Sequence, residues 1–218
     1  MRHRTKIHGF GTISSQIGKL IWLLEQYVDG IDLHELLRNG PLHREQLLRL
    51  TSDLVSISKD AESVNVVHRD IKPLNIKIDS EGNAWLLDFG IARILDLESK
   101  TKTDSPVGPH SPGYGAPEQF RYQKRDIDGR SDLFAIGVVL HESVKGMNFF
   151  IEGARDRNEI LRRVENEYLP DLDLDWDAEG LFNEFITALT QKYPYQRPLT
   201  CAEAADWLRE ITHQLGGL

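Results

Sequence analysis

The stretch His68-Arg69-Asp70-Ile71-Lys72-Pro73-Leu74-Asn75 constrains this chain more than any other. Its proline lacks a backbone donor and rules out an uninterrupted helix. The apolar run Val64-Asn65-Val66-Val67 before it reads as a strand or a buried segment. Ile76-Lys77-Ile78 after it alternates like a strand, and Asp79-Ser80-Glu81-Gly82-Asn83 reads as a turn. A second alternating run, Ala84-Trp85-Leu86-Leu87, leads into Asp88-Phe89-Gly90. The pattern predicts a short β-hairpin with chemically loaded loops at its open end. Such a hairpin brings its ends close, so Asp70, Lys72, Asn75 and Asp88 should converge on one cleft.

The chemistry of that cluster is specific. A carboxylate and an amide oxygen are hard ligands that suit Mg²⁺, which takes few protein ligands and completes its shell with phosphate and water. Asn75 and Asp88 fit that role. Lys72 supplies a point charge for a phosphoryl group. Asp70 is then free to orient a hydroxyl and accept its proton. These are the parts of a phosphoryl-transfer site.

Together with Ala116-Pro117-Glu118, these segments resemble, in order, the H-R-D-L-x-x-x-N, D-F-G and A-P-E signatures of the protein kinase family. The lysine two residues after Asp70 resembles the serine/threonine branch. The resemblance implies an α+β, protein-kinase-like fold, an ATP and Mg²⁺ requirement, and a protein substrate. It casts Asp70, with Arg69, Lys72 and Asn75, as the catalytic group, and Asn75 and Asp88 as metal ligands. His68, Phe89 and Gly90 support the loops. The catalytic loop is 68–75 and the activation segment 88–118.

Glu25-Gln26-Tyr27-Val28-Asp29-Gly30-Ile31-Asp32-Leu33 resembles the kinase hinge. By that match the Gln26 carbonyl and the Val28 N–H face adenine, and Asp32 lies near the ribose. Lys77 sits where the family places an apolar residue under the base; its stem can cover a base edge while its ammonium reaches water. Glu25 falls at the gatekeeper position, usually apolar or threonine, and is a departure from the pattern. The implied organisation is 1–24 as a remnant of the small lobe, 25–33 as hinge and 34–218 as a complete, mainly helical large lobe.

The small lobe is where the resemblance fails. Gly9-Phe10-Gly11 invites a phosphate-loop reading, but only about a dozen residues separate it from the hinge. A glycine-rich loop, a lysine strand, a glutamate helix and two further strands do not fit there, and Lys19 cannot serve as the strand lysine. Residues 9–11 read instead as a hairpin with glycines at turns, followed by Leu20-Ile21-Trp22-Leu23-Leu24 as a buried strand.

Beyond the hinge, Asp32 to Leu37 reads as a short helix stopped by Asn39-Gly40-Pro41. Leu47, Leu50, Leu54, Ile57, Ala61 and Val64 form the apolar stripe of an amphipathic helix. Residues 91–115 are polar and carry Ser99, Thr101, Thr103, Ser105 and Ser111. Arg69 could pair with a phosphate placed there, and Ser111, at the family's threonine position, could bond Asp70 and Lys72. The apolar Leu133 to Leu140 predicts a buried helix, capped by Ser131 and ended by Gly146. Asp132 at its start resembles the family aspartate that holds the catalytic loop. Glu118 and Arg197 match a buried family ion pair. Further helices are expected over 157–167 and 178–191, with a last one opened by a Thr200/Glu203 capping box.

Composition excludes more than it selects. The net charge of -8 and the lack of a basic block beyond the first residues argue against nucleic acid. No apolar run is long enough to span a bilayer. One cysteine, Cys201, permits no internal disulfide and fits a reducing, cytoplasmic compartment. Removing one preorganised electrostatic donor costs ~10²–10³ in kcat. From a usual ~1–100 s⁻¹ for kinases, a chain lacking the lysine and the glycine loop is expected to run at no more than ~10⁻¹ s⁻¹. Three readings follow: a kinase whose upstream part lies outside this chain, a minimal kinase completed by an activating protein partner at the exposed hairpin edge, and a pseudokinase acting as a nucleotide- or protein-binding module.

Overall fold

The computed structural model describes residues 7–15, 18–89, 111–121 and 127–216. Gly90, Ser99, Thr101, Thr103 and Ser105 lie outside the described residues. The chain begins with an antiparallel pair, β1 (Ile7–Ser15) and β2 (Gly18–Glu25), with Gly11 opposite Trp22. A second sheet, in the order β3-β4-β5, is built from β3 (Ile31–Asp32), β4 (Ile76–Ile78) and β5 (Ala84–Leu86). The remainder is helical: α1 (Leu33–Leu37), α2 (Arg44–Glu62), α3 (Pro117–Phe120), α4 (Gly129–Lys145), α5 (Arg157–Asn166), α6 (Leu181–Leu189) and α7 (Cys201–Gln214). This is the α+β arrangement of a kinase-like large lobe with a reduced small lobe.

The core lies where α2, α4, α6 and α7 meet. Leu50, Leu54 and Ile57 of α2 are buried with Leu133, Ile136 and Leu140 of α4, Phe182 and Phe185 of α6, and Ala204 and Leu208 of α7. Ile71, Ile76 and Leu86 carry the same core up to the hairpin loops. A smaller cluster of Ala116, Phe134, Val138, Phe150 and Val164 sits under α3. Each fully buried side chain of this size contributes about 1.5–3 kcal/mol.

Several sequence expectations are corrected. Gly9 and Gly11 lie inside β1, not at a turn. A Cβ at residue 11 would come within 2.9 Å of the Trp22 indole, so the glycine is there for space across the pair. β2 is not a buried strand throughout: Trp22 and Leu24 are 45% and 57% exposed. Strand residues alternate between faces, so Trp22 and Leu24 share one open face and Glu25 points to the other. Val64 to Val67 form a turn and irregular chain rather than a strand, and Val64 lies beyond the end of α2. Competing carbonyl contacts at Ala61 and Glu62 capture the amides of Val64, Asn65 and Val66 and end the helix.

The caps of α4 also differ from expectation. Asp128, not Ser131, caps its start, accepting the Arg130 N–H, because the helix begins three residues earlier. Ser131 lies inside the first turn and donates instead to Glu118 Oε1 at 2.6 Å. Gly146 ends α4 in the left-handed conformation, φ 75°. The expected helix over 178–191 is shorter, running from 181 to 189. At α7, Thr200 Oγ1 accepts the Glu203 N–H at 3.0 Å, but the Glu203 carboxylate takes the N–H of Leu199 rather than that of Thr200.

Candidate active site

The catalytic-loop sequence alternates apolar and polar residues, and the apolar ones decide its pose. Ile71 and Ile76 are fully buried. Extended backbone at Lys72 (φ -161°, ψ 161°) leads into a single 3₁₀ turn over Pro73–Asn75. With Ile71 anchored inward, Asp70 and Lys72 are left on the open side.

There they meet. Lys72 Nζ lies 2.7 Å from Asp70 Oδ2 and 2.7 Å from Ser111 Oγ. Ser111 donates to Asp70 Oδ1 twice, from its hydroxyl at 2.9 Å and its backbone N–H at 3.1 Å. Asn75 Nδ2 donates to the Asp70 carbonyl at 2.8 Å and reaches Asp70 Oδ2 at 3.2 Å. That leaves Asn75 Oδ1 as the atom available to a cation. One carboxylate is thus held by an ammonium, a hydroxyl, an amide and a backbone N–H.

Asp88 stands on the neighbouring loop. The two loops are tied by the Leu87 N–H donating to the Asn75 carbonyl at 2.8 Å and by His68 Nε2 bonding the Leu87 carbonyl at 2.6 Å. His68 Nδ1 accepts the Asp70 N–H at 3.3 Å. Its ring therefore bridges the two loops. The ring also packs edge-on to Phe89, centroids 4.7 Å apart.

Two site residues are held in the left-handed region, Arg69 at φ 69° and Asp88 at φ 64°. Such backbone costs on the order of 1–3 kcal/mol and persists only when its surroundings fix it. Around Arg69 they do. Asp132, almost fully buried at the start of α4, accepts the His68 and Arg69 N–H groups at 2.8 Å each. Gln119 Nε2 donates to the Arg69 carbonyl at 2.8 Å. Burial pushes the Asp132 carboxyl above its ordinary pKa, opposed by His68 and by the two N–H bonds. Below this, Arg197 makes a two-pronged bond to Glu118, 2.7 and 3.0 Å, with both side chains buried, and also donates to the Arg130 carbonyl at 2.9 Å.

The hinge segment is less polar than expected at one point. Val28 is buried and Gln26 exposed. Lys77 does not send its ammonium to open water: it donates to the Gly30 carbonyl at 3.1 Å and lies 3.4 Å from Asp32 Oδ1. Cross-strand pairing of Asp32 with Lys77 sets that contact. Gly30 permits it, since a Cβ there would strike the Ile78 carbonyl at 2.5 Å.

Sequence reasoning missed three anchors. Gln119 was hidden beside the better-known Ala116-Pro117-Glu118 motif. Glu142 and Asn148 lie beside the Tyr114 hydroxyl, and Asn148 donates to the Gly113 carbonyl at 3.3 Å. Burial, reinforced by Glu142, pushes the Tyr114 hydroxyl pKa well up. An acid on α4 just past its apolar run was the available signal, because a buried carboxylate demands a partner.

Among the described residues no three His, Cys, Asp or Glu side chains form a self-sufficient metal cage. The sparse oxygen set of Asn75 and Asp88 still fits Mg²⁺, which prefers to keep water and phosphate ligands.

Comparison with known proteins decides the family. A family model of the protein kinase domain matches residues 2–208. The chain belongs to the protein kinase family. Serine/threonine-protein kinase PknB of Mycobacterium leprae is 33% identical over 206 residues, covering 93% of this chain and 32% of that protein. PrkC of Bacillus subtilis is 40% identical over 58% of this chain and 19% of its own length. The kinase pkn3 of Myxococcus xanthus is 37% identical over 58% of this chain and 24% of its own. The chain thus spans a third or less of each of these kinases. No helix among the described residues is long and apolar enough to cross a membrane.

Proposed function

We propose that this chain carries the catalytic floor of a serine/threonine protein kinase that moves the γ-phosphoryl group of ATP to a protein hydroxyl. The observation that carries the reading is the seat of Ser111: a hydroxyl lies between Asp70 Oδ1 at 2.9 Å and Lys72 Nζ at 2.7 Å. A substrate hydroxyl in a similar seat would give its proton to Asp70 as it attacks, while Lys72 neutralises a phosphoryl oxygen. Asn75 Oδ1 and the Asp88 carboxylate would hold Mg²⁺, which when bound offsets charge on the phosphates. Arg69, beside Asp70, would meet a phosphate on the activation segment. Gln26, Val28, Asp32 and Lys77 would line the nucleotide side, with 1–24 as small-lobe remnant, 25–33 as hinge and 34–218 as large lobe. The single cysteine supports a cytoplasmic setting.

One observation favours the second reading. The described segment before the hinge consists of two strands whose outer face leaves Ile13, Trp22 and Leu24 exposed. A pseudokinase module, or a kinase completed by a protein partner along the hairpin, shares that feature. Transfer of radiolabelled phosphate from ATP to a generic protein substrate separates them. Weak transfer that drops at least about 100-fold in Asp70→Asn and in Asp88→Ala is expected for an enzyme. Equal signal in wild type and both variants would discard the catalytic reading.

A further inference from the structure

Glu25 ends β2 on the face opposite Trp22 and Leu24, and its carboxylate reaches across to the loop that carries Asp88. Glu25 Oε2 accepts the Asp88 N–H at 3.4 Å. Glu25 Oε1 is buried with no hydrogen-bond partner. Asp88 itself holds a left-handed backbone, φ 64°, which a non-glycine residue keeps only where its surroundings fix it. Its strained counterpart Arg69 is fixed by Asp132 on its N–H and by Gln119 on its carbonyl. At Asp88 the contact on the N–H is Glu25, and it comes from the small sheet rather than the helical body.

We propose that Glu25 is a positioning residue: its carboxylate clamps the Asp88 backbone, so that the β1–β2 hairpin sets the pose of the metal-binding loop. The usual apolar gatekeeper could not make this bond, because it offers no acceptor. The clamp is costly by itself. Burial first, and then the neighbouring Asp88 charge, raise the Glu25 pKa. The clamp stands on the contact alone. Its consequence for metal rests on the reading of Asp88 as a Mg²⁺ ligand.

Amide hydrogen exchange at Asp88, followed by NMR in the absence of metal and nucleotide, tests the clamp. Glu25→Gln keeps an acceptor and Glu25→Leu removes it. Exchange at Asp88 should rise about tenfold in Glu25→Leu and by about threefold or less in Glu25→Gln, as expected for loss or weakening of one bond to a charged acceptor. Amides of α2 and α4 should keep their wild-type exchange in both. Equal Asp88 exchange in all three proteins would overturn the clamp. Calorimetric titration of ATP at a series of Mg²⁺ concentrations supplies the second readout. The Mg²⁺ concentration for half-maximal binding should rise about tenfold in Glu25→Leu and recover in Glu25→Gln. An equal rise in both variants would show that the charge acts directly on the metal, and would overturn positioning. A wild type that binds no ATP at any Mg²⁺ level would sink the phosphoryl-transfer reading, whereas the exchange result alone decides the clamp.

Discussion

The β1–β2 hairpin and the helical body hold the two neighbouring loops of the candidate site by different means. In the body each strained or charged site group is gripped several times over. Asp70 takes four donors, Arg69 is tied at both backbone groups, and the Glu118–Arg197 pair is fully enclosed. The hairpin has two strands, and its open face carries Ile13, Trp22 and Leu24 at 55%, 45% and 57% exposure. A pair of strands alone is marginal in water. Among the described residues its hold on the site is one long bond, from the Asp88 N–H to Glu25. The lesson is that the loop of Asp70 is preorganised by the helical body, while the Asp88 backbone is exposed to whatever stabilises the hairpin.

The sharpest way to break the comparison is Arg197→Ala. It would leave Glu118 buried without its cation, and loss of one partner from a buried pair costs about 3–5 kcal/mol. Urea unfolding should show that loss. A change below about 1 kcal/mol would mean the body is no better anchored than the hairpin.

Next in size is a change that should stabilise. Lys192 is 3% exposed, its Nζ lacks a hydrogen-bond partner among the described residues, and it lies 4.8 Å from the Phe150 ring centroid and 5.3 Å from that of Tyr168. Burial, aided by Arg197, pulls its pKa down from 10.5 to about 8. Between these values the unfolded chain binds more protons than the folded one. Stability should therefore rise with pH through that window, and the cost of the amine is fully present below it. Lys192→Met should raise stability at pH 7 by about 1–3 kcal/mol, the upper end being reduced by lost cation–π contact. The advantage should fade as pH approaches 10.5. Thermal melts of both proteins from pH 7 to 10.5 check this, and a gain independent of pH would refute the assigned cause.

The smallest effect belongs to the hairpin. Trp22→Thr removes an exposed aromatic from its open face and should shift global urea unfolding by no more than about 0.5 kcal/mol. A loss near 2 kcal/mol would show that the hairpin belongs to the same cooperative unit as the helices.

The chemistry of the floor was legible before any fold was known. Asp70, Lys72, Asn75 and Asp88 stand out because charged and amide groups crowd two loops at the ends of one short hairpin, and that local geometry follows from strand alternation and turn residues. The α2 stripe and the buried α4 were legible for the same reason, since periodicity reports burial. Boundaries and caps were less so. Ser131 looked like a cap until Glu118, thirteen residues away in sequence, claimed its hydroxyl.

What local pattern determined, then, was which residues carry charge, which faces are apolar and in what order the loops come. The tertiary structure decided the rest: that Gln119 and Asp132 hold Arg69, that Lys77 turns back to Gly30, and that Glu25 reaches Asp88. These contacts join residues from 47 to 63 positions apart. Periodicity acts over one or two turns of chain and carries no information at that range. Only packing of the helices and sheets brings such groups within bonding distance.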